Sequence, residues 1–388
     1  MNPQYEAMAT SVFERMSLAA AARGAVNLGQ GFPDFGWAPE MLAEATKALA
    51  DGSNQYAPSR GLPVLREAVA AHYGRHLGQH LTAEHVCVTS GATEAIAAAL
   101  FATVSPGDEV IVMTPAYDAY APLVRRAGGV VREVALSPPG WRIEAEALRA
   151  AVTPRTRAIV LNNPQNPTGR MFDRAELEAV AAVALAHDLI VIADEVWEHV
   201  LLDGQRFTPI ASLPGMADRT IKCGSGGKIF SLTGWKIGWL VAAPRLAMLG
   251  ARAHQFLTFA SAPNLQAAVA YGLDEGDAWL GPMRTRFARA RDRLEAGLTD
   301  AGYAVLPSAS TYFLCVDLAA SGVALDDEAF AQLALDQAGV AVIPLSPFAE
   351  TAPQRHLVRL CFAKQDATLD AGIEALKRAR LLARRPAR

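Results

Sequence analysis

The feature of this chain that most constrains its fold is an alternation of short apolar runs with longer helical patterns. The runs "EVIVMTP" (109–115), "AIVLNNP" (158–164) and "LIVIADE" (189–195) have the length and composition of buried strands. The segment "RAELEAVAAVALAHD" (174–188), between the last two runs, has the pattern of a helix. Apolar strands separated by helices predict an α/β fold, with a mostly parallel sheet flanked by helices.

The pattern changes near residue 285, which indicates a second and smaller domain of the α+β type. Two paired strands in "YAVLPSASTYFLCVDL" and a strand in "HLVRLCFA" alternate there with the helix patterns "RFARARDRLEAGLTDAG" and "DDEAFAQLALDQAGV". A chain of 388 residues is also long for one ordinary domain. We therefore expect a large domain over 46–284, a small C-terminal domain over 285–388, and an N-terminal segment, 1–45, that packs on the small domain.

Composition disfavours several classes of function. The net charge of −3 argues against nucleic-acid binding, which usually requires a basic surface. No apolar run reaches the ~20 residues of a membrane span, and the start "MNPQYEAMATSVFERM" does not have the pattern of a signal peptide. The four cysteines form no CxxC pair, which favours reduced thiols in a cytoplasmic protein and no metal site.

The stretch "GSGGKIFSLTGWKIGW" (224–239) surrounds Lys228 with glycines that let the backbone approach a bulky ligand. A partly buried lysine with a lowered pKa can form a Schiff base with a carbonyl compound. Ser225 and Lys236 supply a hydroxyl and a cation, which suit a phosphate group. The alternative is a lysine whose charge is simply solvated.

Two further segments end predicted strands, where sites in parallel sheets collect. Asp194, in "IADEVWEHV", has two interpretations. If its carboxylate is buried it needs a partner, and it is then the anion beside a pyridine nitrogen. The alternative is an exposed acid in a loop. In "TSGATEA", a turn leads into a helix and consists of Ser90, Gly91, Ala92 and Thr93. The backbone N–H groups at the start of this helix suit a phosphate. The alternative is that Thr93 is an ordinary N-cap.

Two polar groups in rigid settings complete the candidates. Asn166, in "NNPQNPTG", is either part of a loop of turn-forming residues or an amide that donates to a ligand oxygen. Arg359, inside the apolar strand "HLVRLCFA", requires a bidentate partner, either a structural carboxylate or the carboxylate of a substrate.

The motifs "NPTG", "DEVW", Ser-x-x-Lys with "TGWKIGW", and "VRLCF" follow one another along the chain and together resemble the class I/II aminotransferases, which are pyridoxal 5′-phosphate enzymes of fold type I. The segments "NLGQGFPDF", "NQYAPSRGLPVLREAVA" and "STYFLCVD" also match, so the resemblance covers nearly the whole chain. It is nearest to the branch of kynurenine/glutamine transaminases, methionine-type aminotransferases and some succinyl-diaminopimelate aminotransferases.

The resemblance implies roles for the candidate residues. Lys228 matches the lysine that bonds to the cofactor and moves the substrate proton, Asp194 the acid on the pyridine nitrogen, and Asn166 the amide on the ring oxygen. Tyr117 matches the aromatic residue that stacks on the ring. The phosphate group is matched by a set of five residues: Gly91, Ala92, Thr93, Ser225 and Lys236.

The resemblance also implies a homodimer with shared active sites, acting on amino-acid and 2-oxo-acid substrates. Tyr56 matches a tyrosine that reaches the phosphate of the partner subunit, and Phe259 an aromatic residue contributed to the neighbouring pocket. Arg359 matches the carboxylate clamp, helped by the backbone of Gly31 and by Asn166. Phe13 matches an aromatic residue of the substrate pocket.

The chain departs from its relatives at positions that affect chemistry and specificity. Trp197 stands where many relatives carry tyrosine, so its contact with the cofactor is left open. The residues expected in the pocket are apolar and include no second arginine, which favours methionine, glutamine or aromatic amino acids as donors in a two-stage, ping-pong transamination. A succinyl-diaminopimelate aminotransferase and a carbon–sulfur β-lyase are the alternatives.

Overall fold

The computed structural model describes residue 1 and residues 3–6, 8–35, 38–52 and 54–384. The strands are β1 Val26–Asn27, β2 Val86–Ser90, β3 Glu109–Thr114, β4 Val130–Ala135, β5 Thr156–Asn162, β6 Ile190–Asp194, β7 Thr220–Ser225, β8 Ile237–Val241, β9 Ala304–Val305, β10 Phe313–Asp317, β11 Val340–Ala341, β12 Ile343–Pro344 and β13 Leu357–Cys361.

The helices are α1 Pro3–Glu6, α2 Val12–Arg23, α3 Pro39–Asp51, α4 Pro63–Leu77, α5 Gly91–Thr103, α6 Tyr120–Arg126, α7 Ala145–Ala150, α8 Arg174–Ala186, α9 Gly226–Ile229, α10 Pro244–Gln255, α11 Pro263–Asp274, α12 Leu280–Asp300, α13 Asp327–Leu333 and α14 Asp366–Ala383. Short 3₁₀ turns lie at Ala83–His85, Ile210–Ser212, Ala217–Arg219, Thr233–Trp235 and Ser346–Phe348, and a π turn at Ala334–Ala338.

A seven-stranded sheet in the order β2-β8-β7-β6-β5-β3-β4 forms the centre of the larger part. Strand β8 pairs antiparallel with both of its neighbours, and the other pairs of adjacent strands are parallel. Apolar clusters on the two faces bury the sheet, as its apolar strands require. The predicted α/β fold with a mostly parallel, helix-flanked sheet is confirmed.

Local sequence explains where the helices of this part begin. At α8, the Asp173 carboxylate accepts the Glu176 amide hydrogen and the Glu176 side chain reaches back to the Asp173 amide, a capping box. Helix α5 begins at Gly91, directly after β2, with no side-chain cap from Ser90. The alternative interpretation of Thr93 as the N-cap is therefore wrong, because Thr93 lies within the first turn.

The C-terminal part contains a four-stranded antiparallel sheet in the order β12-β13-β10-β9, packed with α12 and α14. Strand β1 of the N-terminal segment pairs in parallel with β11, and α2 also packs against β11 and β12. One apolar cluster joins α2 to this sheet and these helices. The limits 45/46 and 284/285 between the parts stay a prediction.

The four cysteines, Cys87, Cys223, Cys315 and Cys361, are buried and unpaired. Among the residues described above, no helix combines the length and the apolarity that crossing a membrane requires.

Candidate active site

A cavity of about 770 Å³ opens at the carboxyl ends of the parallel strands. Strands β6 and β7 end in its wall with Asp194 and Ser225, and β13 contributes Arg359 from the C-terminal sheet. Strand β2 ends one residue before Gly91, which also lines the cavity. The predicted site residues that line this cavity are Phe13, Gly31, Gly91, Ala92, Thr93, Tyr117, Asn166, Asp194, Trp197, Ser225, Lys228, Lys236 and Arg359.

Lys228 lies in α9, directly after β7, and its amine nitrogen is at the centre of the site. The nitrogen donates a hydrogen bond to the Tyr312 hydroxyl at 3.1 Å and lies 4.6 Å from the centre of the Trp197 ring. Burial lowers the pKa of Lys228 to about 8, with further contributions from the charges of Arg359 and Lys236. About a tenth of the lysine is therefore a free amine at pH 7, far more than at the ordinary lysine pKa of about 10.4.

Tyr312 is a site residue that the sequence did not single out. Its hydroxyl donates to the Gly31 carbonyl at 2.6 Å, so its oxygen lone pairs face the Lys228 amine. The Tyr312 and Trp197 rings meet edge to face at 4.5 Å, and both side chains are nearly fully buried. The segment "STYFLCVD" was the only signal for Tyr312, and it marked a resemblance without a role for this residue.

Asp194 lies at the end of β6 with its carboxylate in the cavity wall. One oxygen accepts a hydrogen bond from the Tyr120 hydroxyl and the other from the Val196 amide at 3.4 Å. Burial raises the pKa of Asp194, although these hydrogen bonds and the Lys228 charge oppose the rise. A cationic group in the cavity would restore the charged form, because it offsets the cost of burial.

A cradle for an anion is present where α5 begins. Gly91, Ala92 and Thr93 form the first turn of α5, whose backbone N–H groups lack a side-chain cap. A Cβ atom built on Gly91 would lie 3.1 Å from the Lys236 amine, so this cation lies beside the turn. A Cβ on Gly238 would come within 2.6 Å of the Ala92 nitrogen, so a glycine is needed there for β8 to approach the turn.

Arg359 is buried to 1% exposure at the other side of the cavity. Its two terminal nitrogens donate to the Asn166 side-chain oxygen and the Gly29 carbonyl, both at 2.8 Å. Its Nε has no hydrogen-bond partner among the described residues, and the guanidinium carbon lies 3.9 Å from the centre of the Phe313 ring. Burial lowers the pKa of Arg359 to about 10, so it stays cationic at neutral pH. Within the described chain its hydrogen-bond partners are an amide oxygen and a carbonyl and not a carboxylate, which leaves the guanidinium available to a carboxylate from a ligand.

The outer wall of the cavity is formed by α2 and the segment after β1. Phe13, Leu18 and Phe32 are apolar there, and Ser17 bonds to the Gln30 side chain. Two acids lie in the lining at this end, Glu14 and Asp118. The Ser11 hydroxyl donates to Asp118 at 2.6 Å, and Glu14 is exposed at the rim.

Tyr56 and Phe259 do not line the cavity of their own chain. They are 87% and 42% exposed, and their rings meet edge to face at 5.5 Å. Two exposed aromatic rings in contact are consistent with the predicted role in a neighbouring subunit, and that role stays a prediction.

The cavity fits pyridoxal 5′-phosphate, the group that the resemblance implies. The uncapped turn of α5, with Ser225 and Lys236, offers amides, a hydroxyl and a cation to a phosphate. Among the described residues the buried Asp194 carboxylate bonds to a hydroxyl and an amide but to no cation, and a pyridinium nitrogen would supply one. Lys228 provides a free amine for an aldehyde.

Comparison with known proteins agrees with this geometry. The family model of class I and II aminotransferases matches residues 23–376. A probable N-succinyldiaminopimelate aminotransferase of Mycobacterium tuberculosis is 47% identical over 392 residues and covers 98% of each chain. Methionine aminotransferase of Escherichia coli is 38% identical, covering 95% of this chain and 96% of its own. Kynurenine–oxoglutarate transaminase 1 of the rat is 36% identical, covering 91% and 92%.

Solved structures agree as well. The structure of N-succinyldiaminopimelate aminotransferase from Mycobacterium tuberculosis superposes with a TM-score of 0.94 at 46% identity, covering 97% of this chain and 99% of that one.

Proposed function

The chain belongs to the class I and II aminotransferases, and on that premise we propose that it moves the amino group of a neutral L-amino acid to a 2-oxo acid, with pyridoxal 5′-phosphate as cofactor. Methionine, glutamine and the aromatic amino acids are the proposed donors. The observation that carries this choice is the charge pattern of the cavity. Beyond Arg359 and the two lysines of the cofactor region, its described lining holds no cation, and its rim carries Glu14.

The geometry supports the following assignment of residues to the cofactor. Lys228 would bond to the aldehyde carbon, Asp194 would pair with the ring nitrogen, and Asn166 would donate to the ring oxygen. Tyr117 would cover the ring face, while Ser225, Lys236 and the first turn of α5 would hold the phosphate. When bound, the cofactor supplies a carbon that takes up the amino group and a cationic ring that stabilises negative charge at the substrate Cα.

Lys228 is the proposed base and acid of the reaction. Its lowered pKa makes part of the lysine a free amine, which would accept the proton from the substrate Cα and, once protonated, would donate it again during amino-group transfer. The lone pairs of the Tyr312 oxygen hold the lysine nitrogen in place, since the tyrosine proton is directed to the Gly31 carbonyl.

Arg359 would fix the substrate through its α-carboxylate. The guanidinium is already oriented by Asn166 and the Gly29 carbonyl, so little freedom is lost when substrate binds. A carboxylate held at this point fixes the direction of the Cα–H bond relative to Lys228, which raises the rate by orientation.

The proposal includes a homodimer whose sites are shared. Tyr56 and Phe259 form an exposed aromatic pair that does not serve the cavity of its own chain, and burial in a partner would remove this apolar surface from water. We also place the reaction in the cytoplasm, because the four cysteines are buried and unpaired, as in a reducing compartment.

An N-succinyl-diaminopimelate donor is the second candidate, and it is favoured by the 47% identity to the probable mycobacterial enzyme. This donor carries carboxylates far from the α-carbon. A cation for them is not found in the described outer lining of this chain, so a partner subunit would have to supply it.

The test is a donor panel with the purified holoenzyme and 2-oxoglutarate or pyruvate. L-methionine, L-glutamine, L-phenylalanine, L-aspartate, N-succinyl-LL-diaminopimelate and a cysteine conjugate are compared by kcat/KM for the 2-oxo acid formed, with Lys228→Ala as the inactive control. The proposal expects neutral donors to rank first. A higher kcat/KM for the succinylated donor supports the second candidate. Pyruvate and ammonia from the cysteine conjugate without an oxo-acid acceptor indicate a β-lyase.

A further inference from the structure

A buried pair outside the cavity, Glu94 and His254, joins three segments that matter to the site. Glu94 lies in the first turn of α5 and His254 in the last turn of α10, and they are 8% and 0% exposed. The His254 Nδ1 lies 2.9 Å from the Glu94 Oε1, and its Nε2 lies 2.8 Å from the Ser59 carbonyl oxygen.

The hydrogen-bond partners of His254 determine which of its ring nitrogens carry a proton. A carbonyl oxygen only accepts hydrogen bonds, so the Nε2 facing Ser59 must carry a proton. The Nδ1 faces a carboxylate that also accepts from the Thr258 hydroxyl at 2.7 Å and from the Ser90 amide. With these two donors already on the carboxylate, the remaining proton is best placed on Nδ1, which makes His254 an imidazolium paired with an ionised Glu94.

The helices support the same charge assignment. An acid in the first turn of α5 and a cation in the last turn of α10 are each stabilised by the helix dipole. Burial acts to lower the pKa of His254, but the hydrogen bond and charge of Glu94 and the backbone of Ser59 and Phe259 outweigh it and raise the pKa. Burial acts to raise the pKa of Glu94, but His254, Thr258 and the Ser90 amide hold it below its usual value.

Among the described groups near the pair, the Cys87 thiol is neutral, because burial raises its pKa to about 12, and neither neighbouring arginine bonds to the pair. Arg60, next to Ser59, is directed to Glu84 with its Nη1 at 2.9 Å from a carboxylate oxygen. Arg252, also in the last turn of α10, is exposed. Glu94 is the one charged side chain to which His254 bonds in the described part of the chain.

The pair connects the anion-binding turn to the two loops that carry Tyr56 and Phe259. Glu94 holds the Ser90 amide at the start of the turn, His254 holds the loop of Tyr56 through the Ser59 carbonyl, and Thr258 precedes Phe259. The exposed rings of Tyr56 and Phe259, one on each loop, contact each other. A change at the pair therefore alters the turn and both loops together.

We propose that Glu94 and protonated His254 are a positioning pair, which couples the cofactor-phosphate turn of one subunit to the loops that complete the site of its partner. The proposal rests on the proposed function, since it assumes a pyridoxal phosphate enzyme with shared sites. It makes cofactor affinity and dimer stability depend on the same buried ion pair.

The test compares the wild type with His254→Gln and Glu94→Gln, and uses His187→Gln, at an exposed position after α8, as the matched control. The dissociation constant of pyridoxal phosphate is measured by titration of the apoenzyme, with inorganic phosphate as competitor, and the dimer constant by sedimentation. We expect both constants to rise at least about tenfold in His254→Gln, the effect of one lost hydrogen bond to a charged group. The His187→Gln control should match the wild type.

The pH dependence separates positioning from a general loss of stability. Lys228 titrates in both proteins, so the wild type is compared with His254→Gln at each pH: relative to the variant, wild-type cofactor affinity should fall as the pH rises through the raised pKa of His254. If the wild type binds the cofactor but both pair variants keep its cofactor and dimer dissociation constants, the role of the pair is wrong and the proposed function stands. If the wild type binds no cofactor, the proposed function is wrong.

A measurement on the wild type keeps the proposal testable if the variants do not fold. Nitrogen-15 spectra of labelled histidine follow all eight histidines through a pH titration. One imidazole should keep both protons to a pH above the ordinary midpoint of about 6.5. If none of the eight does so, the imidazolium assignment is wrong.

Discussion

The Lys228 amine lies 3.1 Å from the Tyr312 hydroxyl oxygen, and that hydroxyl directs its own proton to the Gly31 carbonyl at 2.6 Å. The lysine and the segment after β1 are thereby joined through one phenol. Because Gly31 lies in the cavity wall beside the expected substrate carboxylate, the same phenol connects the base of the reaction to the substrate-binding side.

Tyr312→Phe tests this connection. The ring still packs on Trp197, so the fold should be kept, but the lysine nitrogen loses an acceptor and the Gly31 carbonyl a donor. We expect kcat to fall about tenfold, as for one lost hydrogen bond, with unchanged cofactor content. A kcat equal to the wild type would show that Lys228 does not need the phenol.

The lowered pKa of Lys228 predicts how the apoenzyme takes up its cofactor. Below about pH 8 the amine is protonated and does not attack the aldehyde, so the rate of appearance of the visible absorbance band should rise about tenfold per pH unit and level off above pH 8. Stopped-flow absorbance from pH 6.5 to 10 measures this. A rate that climbs up to pH 10 would indicate an ordinary lysine, with a pKa of about 10.4.

Lys228 and Asp194 were predicted because their signals are local in sequence. The lysine lies among glycines and the aspartate ends an apolar strand, so a short window contains the argument. The loop of Asn166 and the strand of Arg359 were predicted on the same basis, and the structure brings these two side chains to 2.8 Å.

The partners of these residues were not predictable from short windows. Tyr312 is 84 positions from Lys228, and His254 is 160 positions from Glu94. Each side chain lies in a segment that also suits a structural role, and only the packing of α10 on α5 and of the C-terminal sheet on the cavity brings the partners together. The antiparallel direction of β8 was also missed, because its apolar run resembles those of the parallel strands.

Arg359→Lys tests the carboxylate clamp. A lysine keeps the positive charge but loses the planar guanidinium. The guanidinium bonds to Asn166 and Gly29 and can still bind a substrate carboxylate through two hydrogen bonds. We expect kcat/KM for L-methionine to fall about 10²-fold, within the cost of losing hydrogen bonds between charged groups. The absorbance spectrum of the bound cofactor should be unchanged. An equal loss for the amine substrate methylamine, which has no carboxylate, would contradict the clamp.

Glu14→Gln tests the charge pattern of the rim. The glutamate repels a second carboxylate on a donor, and its removal should raise kcat/KM for L-glutamate about two- to fivefold, the size of one exposed charge interaction. The value for L-methionine should stay unchanged, and Glu328→Gln, at an exposed acid of α13, serves as the control. A parallel rise for methionine would show that the charge of Glu14 does not set donor preference.

Lys222→Met tests a buried network behind Asp194. The Lys222 amine pairs with Glu195 and lies 2.6 Å from a Glu198 oxygen, and Tyr73 donates to Glu198 at 2.8 Å. Methionine fills the space but leaves two buried carboxylates without a cation, so the free energy of unfolding should fall by about 3–5 kcal/mol. Urea denaturation measures it, and a triple variant with both glutamates changed to Gln should recover part of the loss.

The most direct test of the account is the absorbance spectrum of the holoenzyme while L-methionine is added in the absence of any oxo acid. If Lys228 and the cofactor carry out a half-reaction, the visible band will disappear, a stable band at shorter wavelength will replace it, and one equivalent of 2-oxo acid will be released per site. Addition of a 2-oxo acid will then restore the visible band. A visible band that no neutral amino acid changes, but that N-succinyl-LL-diaminopimelate abolishes, would contradict the proposed donor class.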